Sequence, residues 1–155
     1  MILQTPRTLV RPFKPDDASA LAAILSDPAV MEYLEPPFTL AQTQAFLREA
    51  GLCSPPRVYA VLWSETARLI GHVIYHPYDP DSYELGWVLA RAFWGRGLAL
   101  ELTRAMIYRA KQDGVAQLVL ECVPAQRATA QIAKQAGFSY DRTLDGLDLY
   151  ALSLS

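Results

Sequence analysis

The sequence predicts an α/β layered domain on a mixed sheet, and three observations carry that expectation. Strand-like runs alternate with helical segments; a strand, a glycine loop and an amphipathic helix follow one another between Tyr83 and Lys111; and the chain closes on the alternating run from Leu147 to Leu154. Pro15, Asp16 and Asp17 open a first helix, along which Ala18, Leu21, Ala22 and Leu25 recur at helical spacing until Asp27-Pro28 stops the pattern. Thr39 and Gln42 form a capping-box pair, opening a second helix that runs to about Ala50. Gly51 to Arg57, with Pro55-Pro56, reads as a loop. Val58 to Trp63 and Leu69 to Tyr75 flank the polar turn Ser64-Glu65-Thr66, which predicts a hairpin.

The helix starting near Leu98 presents Glu101, Arg104, Tyr108 and Lys111 on one face, read as solvated, with Leu98, Leu102, Ala105 and Met106 opposite. A β-branched run, Leu118 to Val123, then leads into a helix from Gln126 to Ala136, closed by Gly137-Phe138. No repeat, linker or low-complexity segment interrupts residues 1–155, which are expected to form one domain. At 155 residues and 52% hydrophobic content, the chain can bury a real core.

A net charge of −2 offers no general attraction for nucleic acid or anionic membrane, so neither is an expected partner. There is no run of about 18 apolar residues, and Met1-Ile2-Leu3-Gln4 lacks the basic start of a signal peptide. The expectation is a soluble cytoplasmic protein. Cys53 and Cys122 are too few for a disulfide framework or zinc site, and Cys122, in an apolar strand, reads as core. His72 and His76 have no carboxylate at metal-ligand spacing; they read as structural or surface residues, and no metal is expected.

The most informative stretch is Trp94-Gly95-Arg96-Gly97-Leu98-Ala99, between the strand Tyr83 to Leu89 and the helix. Glycines and a small alanine there let backbone N–H groups converge on an anion at a helix N-terminus, where the dipole favours phosphate or pyrophosphate. The same glycine pair also serves as a plain connection. Within the strand, Glu84, Gly86 and Val88 face one way, and Tyr83, Leu85, Trp87 and Leu89 the other, so Glu84 is an acid on an otherwise apolar strand.

The order strand, glycine loop, helix, strand, helix, Gly-Phe resembles the acetyl-CoA-binding core of the GNAT N-acetyltransferase superfamily, most closely its ribosomal-protein N-terminal acetyltransferase branch. The family loop reads Arg/Gln-x-x-Gly-x-Gly/Ala; Gly97 and Ala99 match it, with Trp94 where Arg or Gln is usual. Thr5-Pro6-Arg7-Thr8-Leu9-Val10-Arg11-Pro12, Asp16-Asp17-Ala18 and Ser26 to Leu34 are similar to the branch's first strand, first helix and acceptor-side segment, and Glu84-Leu85-Gly86-Trp87 to its Glu-x-Gly-Tyr/Trp strand. Gln126 and Thr129 stand where the family often has Asn and Ser.

The resemblance implies a mostly antiparallel central sheet flanked by helices, acetyl-CoA as cosubstrate, and direct attack of a primary amine on the thioester in a ternary complex. It implies cofactor contacts from Trp87, Val88, Leu89, Trp94, Gly95, Arg96, Gly97, Leu98, Ala99, Gln126 and Thr129. An oxyanion donor would come from the backbone near Trp87 to Leu89. Glu84 is the candidate base, directly or through water, its pKa rising if it is desolvated; the alternative is a structural carboxylate paired with an arginine. Thr129 is a candidate partner for the leaving sulfur, or a helix cap, and Ala133 occupies the position often held by an acidic tyrosine. The acceptor side is offered by Met31, Glu32, Tyr33 and Phe38, with Glu35 and Tyr150 beside them; the acceptor is a protein N-terminus or a small-molecule amine, and the protein a monomer or homodimer.

Two other readings compete. A Rossmann-type dinucleotide binder is suggested by Gly95-x-Gly97 and Glu121, but Leu100 stands at its third glycine. A CoA-binding regulatory module without catalysis is suggested by Ala133 and Gln126.

Overall fold

The computed structural model describes residues 1–155, a mixed, mostly antiparallel sheet flanked by helices. The hydrogen-bonded strand order is β1 (Leu3–Gln4), β2 (Thr8–Arg11), β3 (Val58–Trp63), β4 (Arg68–Asp79), β5 (Ser82–Leu89), β6 (Gln117–Cys122), β8 (Leu147–Ser153) and β7 (Ser139–Leu144). β5 and β6 run parallel, whereas β2 with β3, β3 with β4, and β8 with both β6 and β7 are antiparallel. The residues divide into two compact units, Met1–Ile74 with Trp87–Leu98, and Tyr75–Gly86 with Ala99–Ser155. No helix is long and apolar enough to cross a membrane.

In the first unit a 3-10 turn, Pro15–Asp17, leads into α1 (Ala18–Leu25). Asp27 then restarts the chain as α2 (Pro28–Met31), its carboxylate accepting the Ala29 N–H at 3.0 Å with proline in the first turn, where a missing N–H costs nothing. The sequence stop at Asp27-Pro28 is thus a break between helices. The capping box at α3 (Leu40–Phe46) is present: Thr39 Oγ1 accepts the Gln42 N–H at 3.1 Å, and Gln42 Oε1 accepts the Thr39 N–H at 2.8 Å. A π-helical turn, Leu47–Gly51, carries the helix on to the region of Ala50.

Ala18, Leu21, Ile24 and Leu25 of α1 pack with Met31 and Leu47 against Val58, Ala60 and Leu62, the alternate residues of β3, and against Leu69 and Val88. One period-two face of β3 thus meets the helical-period face of α1, while Tyr59 and Val61 on the other face of the strand are buried as well. Gly71 is obligatory in this core, because a Cβ there would collide with the carbonyl oxygen of Val88.

In the second unit α4 (Leu98–Gln112), whose first residue belongs to the first unit, buries Leu102, Met106 and Ala110 while Arg104, Tyr108 and Lys111 are exposed, as the face analysis expected; Glu101, assigned to the same face, is half-buried. Leu118, Leu120 and Cys122 of β6 are buried, which places Cys122 in the core. α5 (Arg127–Gln135) follows, with Ala133 fully buried.

β4 and β7 also differ from the sequence expectation. β4 continues four residues past the expected end at Tyr75, through His76 and Pro77 to Asp79. β7 was not expected: all six of its residues are exposed, so it lacks the alternation that marks a half-buried strand. It forms as the partner of β8 across Asp145 and Gly146, both at positive φ (53° and 80°).

Candidate active site

The loop after β5 is held by its own backbone and by one indole. Ala90 N–H donates to Ile70 O at 2.7 Å, a 3-10 turn spans Arg91–Phe93, and Trp94 Nε1 donates to Leu89 O at 2.8 Å, tying the loop to the strand end it leaves. Gly95 and Gly97 both adopt left-handed φ, 72° and 78°, which a residue with a Cβ adopts only at a cost. A Cβ at Gly95 would stand in open space, and one at Gly97 would stand 3.8 Å from Nη2 of Arg7. The glycines are therefore required by backbone shape, not by crowding.

The loop is also electropositive. The Arg96 guanidinium lies over the Phe93 ring, 4.9 Å from its centroid, and 6.0 Å from that of Trp63, while Arg68 caps Phe93 at 5.7 Å. Left-handed glycines, guanidinium groups and the helix start at Leu98 together suit an anionic ligand. Val88 and Leu89 have buried side chains, so only their backbone is available to a ligand, and the Leu89 carbonyl is already engaged by Trp94.

The second unit assembles a different kind of site. His76 and Tyr78, two residues apart on β4, lie beside Glu84 of β5 and Glu121 of β6. The parallel register pairs Glu84 with Val119, and Glu121, two residues further along β6, shares Val119's strand face and lies close enough to Glu84 and His76 for their charges to act on it. His76 Nε2 is 3.1 Å from Glu84 Oε1, with their side chains 13% and 22% exposed. His76 Nδ1 is 2.8 Å from the carbonyl oxygen of Pro77. Tyr78 faces Glu121, and Arg142 of β7 contributes positive charge.

Burial, then the neighbouring Glu84 charge, pushes the Glu121 carboxyl above its usual range, with Tyr78 and His76 pulling the other way. The Tyr78 hydroxyl is likewise raised, by burial and then by Glu121. Two expectations change. The ion partner of Glu84 is a histidine, not an arginine, and His76, expected to be structural or at the surface, is joined to the candidate base. The sequence reading also missed Tyr78, and it singled out Glu121 only for the dinucleotide-binding reading, not as a neighbour of Glu84. The spacing of His76 and Tyr78 on an extended run was a signal for them; the strand register that brings in Glu121 was not.

The remaining expected residues separate. Gln126 precedes α5, and its Oε1 accepts the Val123 N–H at 2.8 Å, so the side-chain carbonyl closes its own loop. Thr129 is half-buried at the third residue of α5; the N-cap position belongs to Gln126. Met31, 4% exposed, belongs to the first unit's core, and Phe38 packs against that core with its ring edge-on to Phe46; Glu32 and Tyr33 are exposed. Tyr150 is buried edge-on to Tyr140.

The family model described as the acetyltransferase (GNAT) domain matches residues 7–139. The chain belongs to the GNAT acetyltransferase family, an enzyme family that acts on amine acceptors, and the dinucleotide-binding reading falls with that assignment. It is 29% identical over 140 residues, 88% of this chain and 82% of the other, to the uncharacterized N-acetyltransferase YnaD of Bacillus subtilis (strain 168). Its fold is similar to a GNAT-family acetyltransferase from Bacillus anthracis, with a TM-score of 0.90 at 23% identity over 99% of both chains. It is also similar to RimL, a ribosomal L7/L12 alpha-N-protein acetyltransferase in complex with coenzyme A, with a TM-score of 0.84 at 17% identity over 99% of this chain and 98% of that one.

Proposed function

We propose that residues 1–155 work as one acetyl-CoA-dependent N-acetyltransferase domain, transferring acetyl to a primary amine by direct attack in a ternary complex. The observation that carries this is the loop Trp94 to Ala99, with left-handed glycines, flanking guanidinium groups and a helix start, a shape suited to the phosphates of coenzyme A. RimL, of similar fold, is in complex with coenzyme A, which supports the same cosubstrate here. Trp87, Val88 and Leu89 would contribute backbone groups, and Gly95, Arg96, Gly97, Leu98 and Ala99 the phosphate cradle. Gln126 and Thr129 would lie toward the thioester end.

A protonated amine cannot attack. An α-amine with an ordinary pKa of about 7.7–8.0 gives up one proton to Glu84, the nitrogen lone pair adds to the thioester carbonyl carbon, the C–S bond breaks to release a thiolate, and the excess proton on the acylated nitrogen passes to that sulfur, leaving an amide and the CoA thiol. Thr129 is the candidate partner of the departing sulfur. The exposed Glu32 and Tyr33 would receive a cationic acceptor, with Met31 and Phe38 supporting them from the core. The acceptor is a peptide N-terminus or a small-molecule amine, and the protein a cytoplasmic monomer or homodimer. A second reading, a CoA binder with weak catalysis, is favoured by Ala133, whose buried methyl offers no acid.

Thermal shift against acetyl-CoA and NAD is the first test. A ligand at about 100 times its Kd stabilises by about 2.7 kcal/mol, so acetyl-CoA should raise the Tm by several degrees and NAD should not. Thiol release with a panel of N-terminal peptides and small amines then separates the two catalytic readings: a bound cofactor without turnover favours the second.

A further inference from the structure

We infer that Glu84 and His76 form one proton-holding unit, and that this pair, rather than a lone carboxylate, receives the acceptor's proton; the inference rests on the acetyltransferase reading above. The argument is donor arithmetic. A carbonyl oxygen only accepts, so the 2.8 Å contact with Pro77 O requires the hydrogen on His76 Nδ1. A neutral imidazole with its hydrogen there would turn a bare lone pair at Nε2 toward Glu84 Oε1. Two acceptors do not hold each other at 3.1 Å, so a proton lies between them. The arrangement is the loaded state of a base.

Unloaded, the pair is a carboxylate beside a neutral imidazole. When the acceptor ammonium transfers its proton to Glu84, an N–H bond breaks and the proton comes to be shared between Oε1 and Nε2. The pair goes from −1 to neutral as the amine goes from +1 to neutral. His76 acts through Glu84 as a positioning residue that strengthens the hold on the proton. An ordinary imidazole holds a proton about 2 pH units more tightly than an ordinary glutamate, a gain of roughly 10²-fold in matching an α-amine. The groups facing the pair are Tyr78 from β4 and Glu121 from β6, with Arg142 of β7 within electrostatic reach of Tyr78; ionised Glu121 reinforces the hold.

Ring-nitrogen NMR of the full chain tests this without an acceptor, because the chain has only two histidines and His72, buried among Phe13 and Phe46, titrates far lower. Neutral His76 should carry its hydrogen on Nδ1, and Glu84→Gln should lower its titration midpoint by about one pH unit or more. A neutral ring with its hydrogen on Nε2, or a midpoint unmoved in Glu84→Gln, overturns the pair. With a peptide acceptor and acetyl-CoA, the acid limb of kcat/KM should sit near the imidazole range and fall by about one unit or more in His76→Gln, with the high-pH rate retained. An unmoved limb assigns the base to Glu84 alone and overturns the inference. If no amine turns over, the acetyltransferase reading fails, and the ring titration alone decides the pair.

Discussion

The loop Trp94 to Ala99 and the His76–Glu84 pair are built by opposite means. The loop is made of backbone: two left-handed glycines, an indole bonded to a carbonyl, and a helix start. The pair is made of side chains from two strands, with a third strand supplying Glu121. A backbone site depends on local conformation and is written in consecutive residues. A side-chain site depends on strand register, and its members lie tens of residues apart. The two should therefore fail differently, the loop through affinity and the pair through rate.

The largest effect is expected from Glu84→Gln, which keeps shape but cannot take a proton. Turnover should fall roughly 10²- to 10⁴-fold while acetyl-CoA affinity by calorimetry is little changed. Near-full turnover at neutral pH would return Glu84 to a structural role and dissolve the contrast.

Rates at low pH must be read against stability, because His72 lies outside both regions yet titrates. It is 4% exposed, its Nδ1 has no partner, and burial pushes its pKa down to about 4 from 6.5. Between those values the unfolded chain binds the extra proton and the folded chain does not, so stability is intact above pH 6.5 and falls as pH drops toward 4. The full loss is about 3 kcal/mol, readable as a falling urea midpoint that His72→Phe should flatten. An unchanged slope in that variant would place the acid sensitivity elsewhere.

Gly97→Val tests the loop. At a φ of 78° a β-branched residue costs about 1–3 kcal/mol, so the acetyl-CoA Kd should rise about 10- to 100-fold with circular dichroism unchanged. Wild-type affinity in a folded variant would remove the cradle. Thr129→Ala should do least, lowering kcat only a few-fold, since its position caps nothing. A loss approaching that of Glu84→Gln would make Thr129 the proton donor to sulfur.

Legibility followed the same division. The hairpin of β3 and β4, the Thr39–Gln42 capping box, the solvated face of α4 and the glycine loop are local patterns, and each stands where its residues suggested. β7 escaped because Ser139 to Leu144 is exposed throughout, although Asp145-Gly146 is the dipeptide a tight hairpin turn needs. Glu84 was legible as an unusual strand acid, but its partner was not. The expected strand ended at Tyr75, short of the continuation of β4 that brings in His76, and Glu121 reaches the pair only through the pairing of β6 alongside β5. Met31 and Phe38 stand in an acceptor-side segment by resemblance; nothing in their spacing announced that they would pack into the core.

The bond from Trp94 to the Leu89 carbonyl gives the loop an optical signature. The chain has three tryptophans, Trp63, Trp87 and Trp94, and all belong to the first unit. Trp94 is 47% exposed within the loop, and Trp63 lies beneath the Arg96 guanidinium. The second unit, with tyrosines but no tryptophan, is dark when only indoles are excited. Intrinsic emission is thus an unlabelled, region-selective gauge: an adenine or phosphate arriving at the loop changes the surroundings of the very chromophore that fastens it, while proton movement between His76 and Glu84 leaves no indole of its own unit to report it.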